Sequence, residues 1–241
     1  MNFGQGLQSL RSVGNEINLI NSNLNGTNIV GFKQNSGYYG GTGAQVKNSY
    51  QIPDTSLINA YTELNFSQGQ INYTGEKTDF AINGEGFFLL QQVQDVGVNP
   101  PNLVTRDGNF RFLNVPSLGG DILGNANGLV VLRDSSGTGA GPYVPITKTD
   151  LLQNGILPSV VKPEKGNEQL VFSKNGSSVF TFNDNVVLAD GEVVQGSLEA
   201  SNVNTHEALV ALSLAQKKFQ AMAVQIKNEN TLLDIVTNII K

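Results

Sequence analysis

Apolar residues recur every seventh position at both ends of this chain and every second position between them. Near the N-terminus, Phe3, Leu10, Ile17 and Leu24 fall seven apart, with Gly6, Val13 and Ile20 at the intervening positions. That spacing puts one apolar seam on an α-helix. Gln8, Ser9, Arg11, Ser12, Asn15, Glu16 and Asn18 are assigned to the opposite, polar face. Gly14 alone weakens such a helix by roughly 1 kcal/mol relative to Ala, so a packing partner is expected. The turn Asn25-Gly26 ends the pattern.

The partner is expected from the far end. Leu212, Phe219, Ile226, Leu233 and Ile240 again fall seven apart, with Ala208, Ala215, Met222 and Val236 between them and Glu229 as the charged exception. Asn204 as N-cap with Glu207 three positions later resembles a capping box that starts this helix. Two seams on one chain are most simply buried against each other. Any apolar face left over must then meet other chains, and packing between molecules is favoured over purely internal packing.

Between the helices the period falls to two, with glycine punctuation. "TDFAI-NGEG-FFLLQQV" reads as strand, turn, strand, and "LVTR-DG-NFRFL" as a hairpin closed by Asp107-Gly108. "GLVVL", "LVFS-KNG-SSVFTF" and "NVVLADGEVVQGSL" continue the series. The expected fold is mainly β with N- and C-terminal α-helices: an antiparallel β domain, and terminal coiled-coil helices that pair. The expected boundaries are 1–33 for the N-terminal helix, 34–74 for an extended arm with weak strands, 75–197 for the β domain and 198–241 for the C-terminal helix.

Composition narrows the chemistry. Glycine, at 27 residues, suits a turn-rich β body, and a net charge of −5 gives no footprint for nucleic acid. Without cysteine, and with His206 as the single histidine, thiolate and multi-histidine metal sites are excluded. No apolar run is long enough for a membrane span. The N-terminus does not read as a secretory signal, so an exported form is expected to leave uncut. Neither cofactor, metal, small-molecule substrate nor membrane insertion is expected.

Four segments, in order along nearly the whole chain, resemble the bacterial flagellar axial family, the rod and hook proteins of the basal body. "NSNLNGTNIVGFK" matches its N-terminal signature at Asn23, Asn28, Val30, Gly31, Phe32 and Lys33, and departs at Ser22, Asn25, Gly26 and Ile29. "TGEKTDFAINGEGFFLL" matches at Gly75, Asp79, Ala81, Ile82, Gly84, Gly86, Phe87 and Phe88. "TRDGNF" carries Arg106, Asp107 and Gly108, with Val104 where an aromatic usually stands. "GSLEASNVNTHEALVALSLAQKKFQ" supplies Leu198, Glu199, Ser201, Asn202, Val203, Asn204, Glu207, Gln216 and Phe219. The resemblance implies a rod-type structural subunit of the basal body. It would be exported by the flagellar type III system and self-assemble with its own copies and neighbouring rod or hook proteins. Its inner wall would be built by the terminal helices, with Leu10, Ile17, Leu24, Leu212, Phe219, Ile226 and Leu233 as assembly residues.

Alternatives are a hook-like axial subunit or, from another class, a secreted glycan hydrolase or carbohydrate-binding adhesin. The hydrolase needs paired carboxylates, and Asp79, Glu85 and Asp107 are the candidates. The simpler reading makes Asp107 a turn residue, Glu85 a loop tip and His206 a surface or interface residue. "SSGTGAG", 135–141, lacks the Lys-Ser/Thr and following helix of a phosphate loop. Gly84 and Gly86 are expected to allow positive φ in a turn. Phe87 and Phe88 should point to opposite faces of a strand, one to the core and the other to a helix or neighbour.

Overall fold

The computed structural model describes residues 3–42, 56–138, 141–167, 170–183 and 185–239. In chain order, α1 is Phe3–Gly26, β1 Asn35–Thr42, β2 Ser56–Leu64, β3 Ile71–Tyr73, β4 Phe80–Asn83, β5 Phe87–Gln92, β6 Leu103–Thr105, β7 Arg111–Val115, β8 Gly120–Gly124 and β9 Leu129–Asp134. Then come β10 Tyr143–Pro145, α2 Lys148–Leu152, β11 Val160–Pro163, β12 Val171–Phe172, β13 Val179–Thr181, β14 Val186–Leu188, β15 Glu192–Gln195, β16 Ser197–Glu199 and α3 Thr205–Ile239. The chain is mainly antiparallel β with a helix near each end. It divides into two units: Met1–Asn25, Asn35–Asn65 and Val203–Lys241 form one, Gly26–Gln34 and Phe66–Asn202 the other.

In the helical unit, a Cβ built on Gly6 would lie 3.1 Å from Ile226 Cγ1, and Lys218 Nζ reaches Glu16 Oε1 at 3.3 Å. These two contacts run in opposite chain directions, so α1 and α3 lie antiparallel. Gly6, Val13 and Ile20 are buried, while Leu10, Ile17 and Leu24 are half-buried. Ser9 and Ser12, expected on the polar face, are buried as well. The heptad therefore marks one edge of the inward face, and small hydroxyl residues complete it. The side chains of Phe3, Leu233 and Val236, and the whole of Ile240, lie outside what the structure describes.

The stretch read as an extended arm is in part a ribbon. β1 and β2 pair antiparallel from Asn35–Leu64 to Thr42–Ser56, with a bulge between Tyr38 and Tyr39. Residues 43–55 of the arm lie outside the described residues.

The β unit is built on a ten-stranded sheet with the path β12-β13-β6-β5-β9-β8-β7; β10 joins β9, β11 joins β5, and β14 joins β11. Two short pairs, β15–β4 and β16–β3, complete it. At its centre β5 reads Phe-Phe-Leu-Leu and is buried on both faces, as a central strand of continuous apolar sequence should be. Phe88 and Leu90 enter a core with Phe80, Leu123, Val131 and Ile146. Phe87, on the opposite face of the strand, is covered within the unit by Phe66 at 5.3 Å and Phe180 at 6.2 Å, not by a terminal helix.

Two expected hairpins are absent. β6 pairs with β5 and β13, and β7 with β8, so Asp107-Gly108 does not close a β6–β7 ladder. Its residues are engaged elsewhere: Asp107 Oδ1 accepts from Asn109 N at 3.0 Å, and the Gly108 carbonyl accepts from Phe80 N at 3.0 Å. A Cβ on Gly108 would fall 1.6 Å from the Phe80 oxygen, so the glycine serves a close crossing. Likewise β4 pairs with β15, not β5, although Gly84 and Gly86 do take φ of 106° and 118°. The β12–β13 ladder around "KNG" does form.

Candidate assembly site

The segment after α1 is drawn into the β unit. Gly26 ends the helix against Phe32, whose ring would lie 2.4 Å from a Cβ on that glycine. Phe32 N closes the turn on the Ile29 carbonyl at 3.3 Å, and Ile29 N on Gly26 at 3.1 Å. Gly31, at φ 66°, has Arg106 and Asp107 backbone pressed against it. Only glycine fits both conditions.

Lys33 then points inward. Its Nζ lies 2.7 Å from Glu199 Oε1 and donates to the Ser67 carbonyl at 2.8 Å. Arg106 NH1 lies 3.1 Å from Glu199 Oε2, and its NH2 donates to the Gly84 carbonyl at 2.7 Å. Gly69 N donates to Glu199 Oε1 at 2.8 Å. The guanidinium carbon sits 5.4 Å above the Phe87 ring. All three charged side chains are buried. Burial pulls the Lys33 ammonium and the Arg106 guanidinium down from their ordinary values, and Glu199 opposes that pull in both. One carboxylate thus holds two cations, and its oxygens take a further backbone N–H, the kind of satisfaction buried charges require.

A second set of bonds lies beside this cluster within the β unit. Gly31 N donates to the Glu199 carbonyl at 2.8 Å, and Asn202 N to the Phe32 carbonyl at 3.3 Å. Asn202 Oδ1 accepts from Gln34 N at 2.7 Å, while its Nδ2 donates to the Ser67 carbonyl at 3.0 Å. One amide side chain therefore joins Gln34 and Ser67 within the β unit.

Gly31, Phe32, Lys33, Gly84, Phe87, Arg106, Asp107, Glu199 and Asn202 come together here, whereas Gly86 packs on Val160 and Ala189 and Gly108 on Phe80. The other signature residues do not join them. Asn23 pairs with the Asn35 backbone, donating at 2.7 Å and accepting at 2.9 Å. Asn28 is exposed and Ser201 half-buried. Asn204 caps α3, its Oδ1 accepting from His206 N at 3.1 Å and Glu207 N at 3.4 Å. Ser67 and Gly69 were missed, because "FSQGQ" sits in a stretch with no periodic pattern. On α3, Leu212 and Ile226 are half-buried and Phe219 is exposed.

The hydrolase candidates are each engaged within the fold, and Asp79 and Asp107 share Asn109 as a partner. Asp79 is buried and accepts from Thr74 Oγ1 at 2.7 Å, Asp107 is engaged in its turn, and Glu85 is an exposed loop residue near Lys162. Among the described residues no cluster of metal-ligating side chains occurs, and no helix is long and apolar enough to cross a membrane.

The family described as "Flagellar basal body rod FlgEFG protein C-terminal" matches residues 194–239, which span Glu199, Asn202 and all of α3. The flagellar basal-body rod protein FlgF of Caulobacter vibrioides is 25% identical over 92% of this chain and 91% of its own length. The chain is similar to flagellar rod and hook proteins. FlgG of Borreliella burgdorferi, also named a basal-body rod protein, is 25% identical over 92% of both chains. The hook protein FlgE of Helicobacter pylori is 28% identical over 66% of this chain, but the shared part is 24% of that hook protein. The chain therefore spans these rod relatives nearly end to end and about a quarter of the hook relative.

Proposed function

We propose that the chain is a structural subunit of the flagellar basal-body rod, a self-assembling axial tube that transmits torque. The observation that carries this is the match over nine-tenths of both chains with rod proteins, against 24% of the hook protein. In this reading residues 1–33 and 198–241 build an inner coiled-coil wall, 34–74 form an arm, and 75–197 form the outer layer. Leu10, Ile17, Leu24, Leu212, Phe219, Ile226 and Leu233 hold the helix pair on which assembly rests. Subunits reach the cell envelope uncut through the flagellar type III system, and their partners are copies of themselves and neighbouring rod or hook subunits. Catalysis has no place in this role.

Electron microscopy of the full chain at rising concentration tests the reading. Tubes or filaments are expected; their absence at every concentration would refute it. In cells, Phe219→Ala combined with Ile226→Ala is expected to abolish incorporation into the basal body and motility. Ile226 packs on Gly6 of α1 and Phe219 lies on the same stripe of α3, so removing both weakens the helix pair, and a polymer repeats that loss in every subunit. Glu85→Gln and His206→Ala should leave motility intact.

A further inference from the structure

The dipeptide Asn-Gly occurs five times, at Asn25-Gly26, Asn83-Gly84, Asn127-Gly128, Asn154-Gly155 and Asn175-Gly176. In each, the backbone nitrogen of the glycine can attack the side-chain carbonyl carbon of the asparagine, with no glycine side chain in the way. The fold treats the five nitrogens differently. Gly26 lies inside α1, where its N–H belongs to the helical ladder. Gly84 N donates to Gln68 Oε1 at 3.0 Å, and Gly128 N to the Asn125 carbonyl at 3.2 Å. Asn175-Gly176 sits in a pinned turn. There Asn175 N donates to Ser173 Oγ at 3.1 Å, and the Asn175 carbonyl accepts from Asn127 Nδ2 at 2.6 Å.

Gly155 is left open. Both Asn154 and Gly155 are exposed, just past the end of α2. Gly155 N makes no hydrogen bond among the described residues, and a Cβ built on Gly155 would meet nothing within 4 Å. We infer that Asn154 is the residue of this chain that the fold leaves to spontaneous deamidation. Gly155 N bonds to Asn154 Cγ, the Cγ–Nδ2 bond breaks, and the amide nitrogen leaves as ammonia with the proton that Gly155 N gives up. The succinimide ring so formed takes up one water at either carbonyl, giving aspartate or isoaspartate at position 154. One negative charge is thereby added to a chain of net charge −5.

The neighbourhood makes that charge matter. The Asn154 side chain hydrogen-bonds Asp150, whose carboxylate closes the capping box of α2 with Thr147. Deamidation replaces this partner with a like charge four residues along, an unfavourable pair. Leu151 of the same helix is buried in the β core, so the site couples the age of the chain to the stability of its β unit.

Peptide mapping of the full chain, kept folded at neutral pH and sampled over time, tests the assignment. Aspartate and isoaspartate should accumulate first at position 154. The rate there should exceed that at Asn83 or Asn127 by at least about fivefold, the factor that one ordinary hydrogen bond imposes. In urea the five rates should converge. Gln68→Ala frees Gly84 N and should speed conversion at Asn83 while leaving Asn154 unchanged. Asn154→Asp, the product charge without the backbone rearrangement, should lower the Tm of the β unit. Equal rates among the folded sites, or faster conversion at Asn83, Asn127 or Asn175, would overturn the assignment. An Asn154→Asp chain as stable as the parent would overturn the coupling to stability.

Discussion

Lys33 and Glu199, 166 residues apart in sequence, meet at 2.7 Å with neither side chain open to solvent. Arg106 reaches the same carboxylate from a loop between two strands. The cluster therefore closes the β unit: the segment that follows α1 is fastened to the last strand before α3.

The three charges are not equivalent. Glu199→Gln would leave two buried cations with no counter-charge, and breaking a buried pair this way costs about 3–5 kcal/mol. Lys33→Met leaves one carboxylate facing one guanidinium and is expected to cost clearly less. Urea denaturation of both variants ranks them, and equal losses would refute the shared-carboxylate account.

The β unit is expected to need its N-terminal strip. A fragment of residues 26–202 retains Lys33, the Phe32 ring and the Gly31–Glu199 bond, whereas 66–202 loses all three. The longer fragment should unfold cooperatively and at a higher urea midpoint than the shorter. Coincident midpoints would show that residues 26–34 merely rest on the unit.

Gly31→Ala places a methyl 2.3 Å from the Arg106 carbonyl carbon at a φ of 66°. Positive-φ strain and overpacking each cost roughly 1–3 kcal/mol, so a loss of about 3 kcal/mol is expected. Gly14→Ala is the control: its Cβ meets nothing within 4 Å, and it lies mid-helix. There a gain of about 0.5–1 kcal/mol is expected. Thermal melts of both substitutions distinguish a required glycine from a dispensable one.

Asp107 gives a pH signature. Burial pushes its carboxyl up, with a further upward push from Asp79, while hydrogen bonds from Asn109 and Ser178 pull it down. A carboxyl whose folded value is raised binds more protons folded than unfolded, so its charged form costs stability at neutral pH. That cost is relieved as pH falls through the raised value towards the ordinary aspartate range. Asp107→Asn keeps the turn acceptor for Asn109 and removes the titration. The variant should therefore gain relative to the parent at neutral pH and lose that advantage on mild acidification, read as the difference in Tm across pH. A difference that stays constant with pH would refute the assignment.

Local chemistry made much of this legible. The seven-residue spacing of Leu212, Phe219 and Ile226 needs only the helical period to be read, and Asn204 capping needs only the next few residues. Positive φ at Gly84 and Gly86 follows from glycine's missing side chain. The apolar run of β5 announced a strand whatever its neighbours.

Pairing was a different matter, because it depends on partners distant in sequence. Asp107-Gly108 has the composition of a hairpin turn, yet Arg106 is held by Glu199 and Gly108 by Phe80, and those non-local bonds outweigh the local preference. Ser9 and Ser12 read as polar surface until a facing element buried them. Sequence by itself determined the helices, the strands and the family signatures. Only the tertiary structure decided that Gly31, Lys33, Arg106, Glu199 and Asn202 act together, because a buried charge selects its partner by space and not by sequence separation.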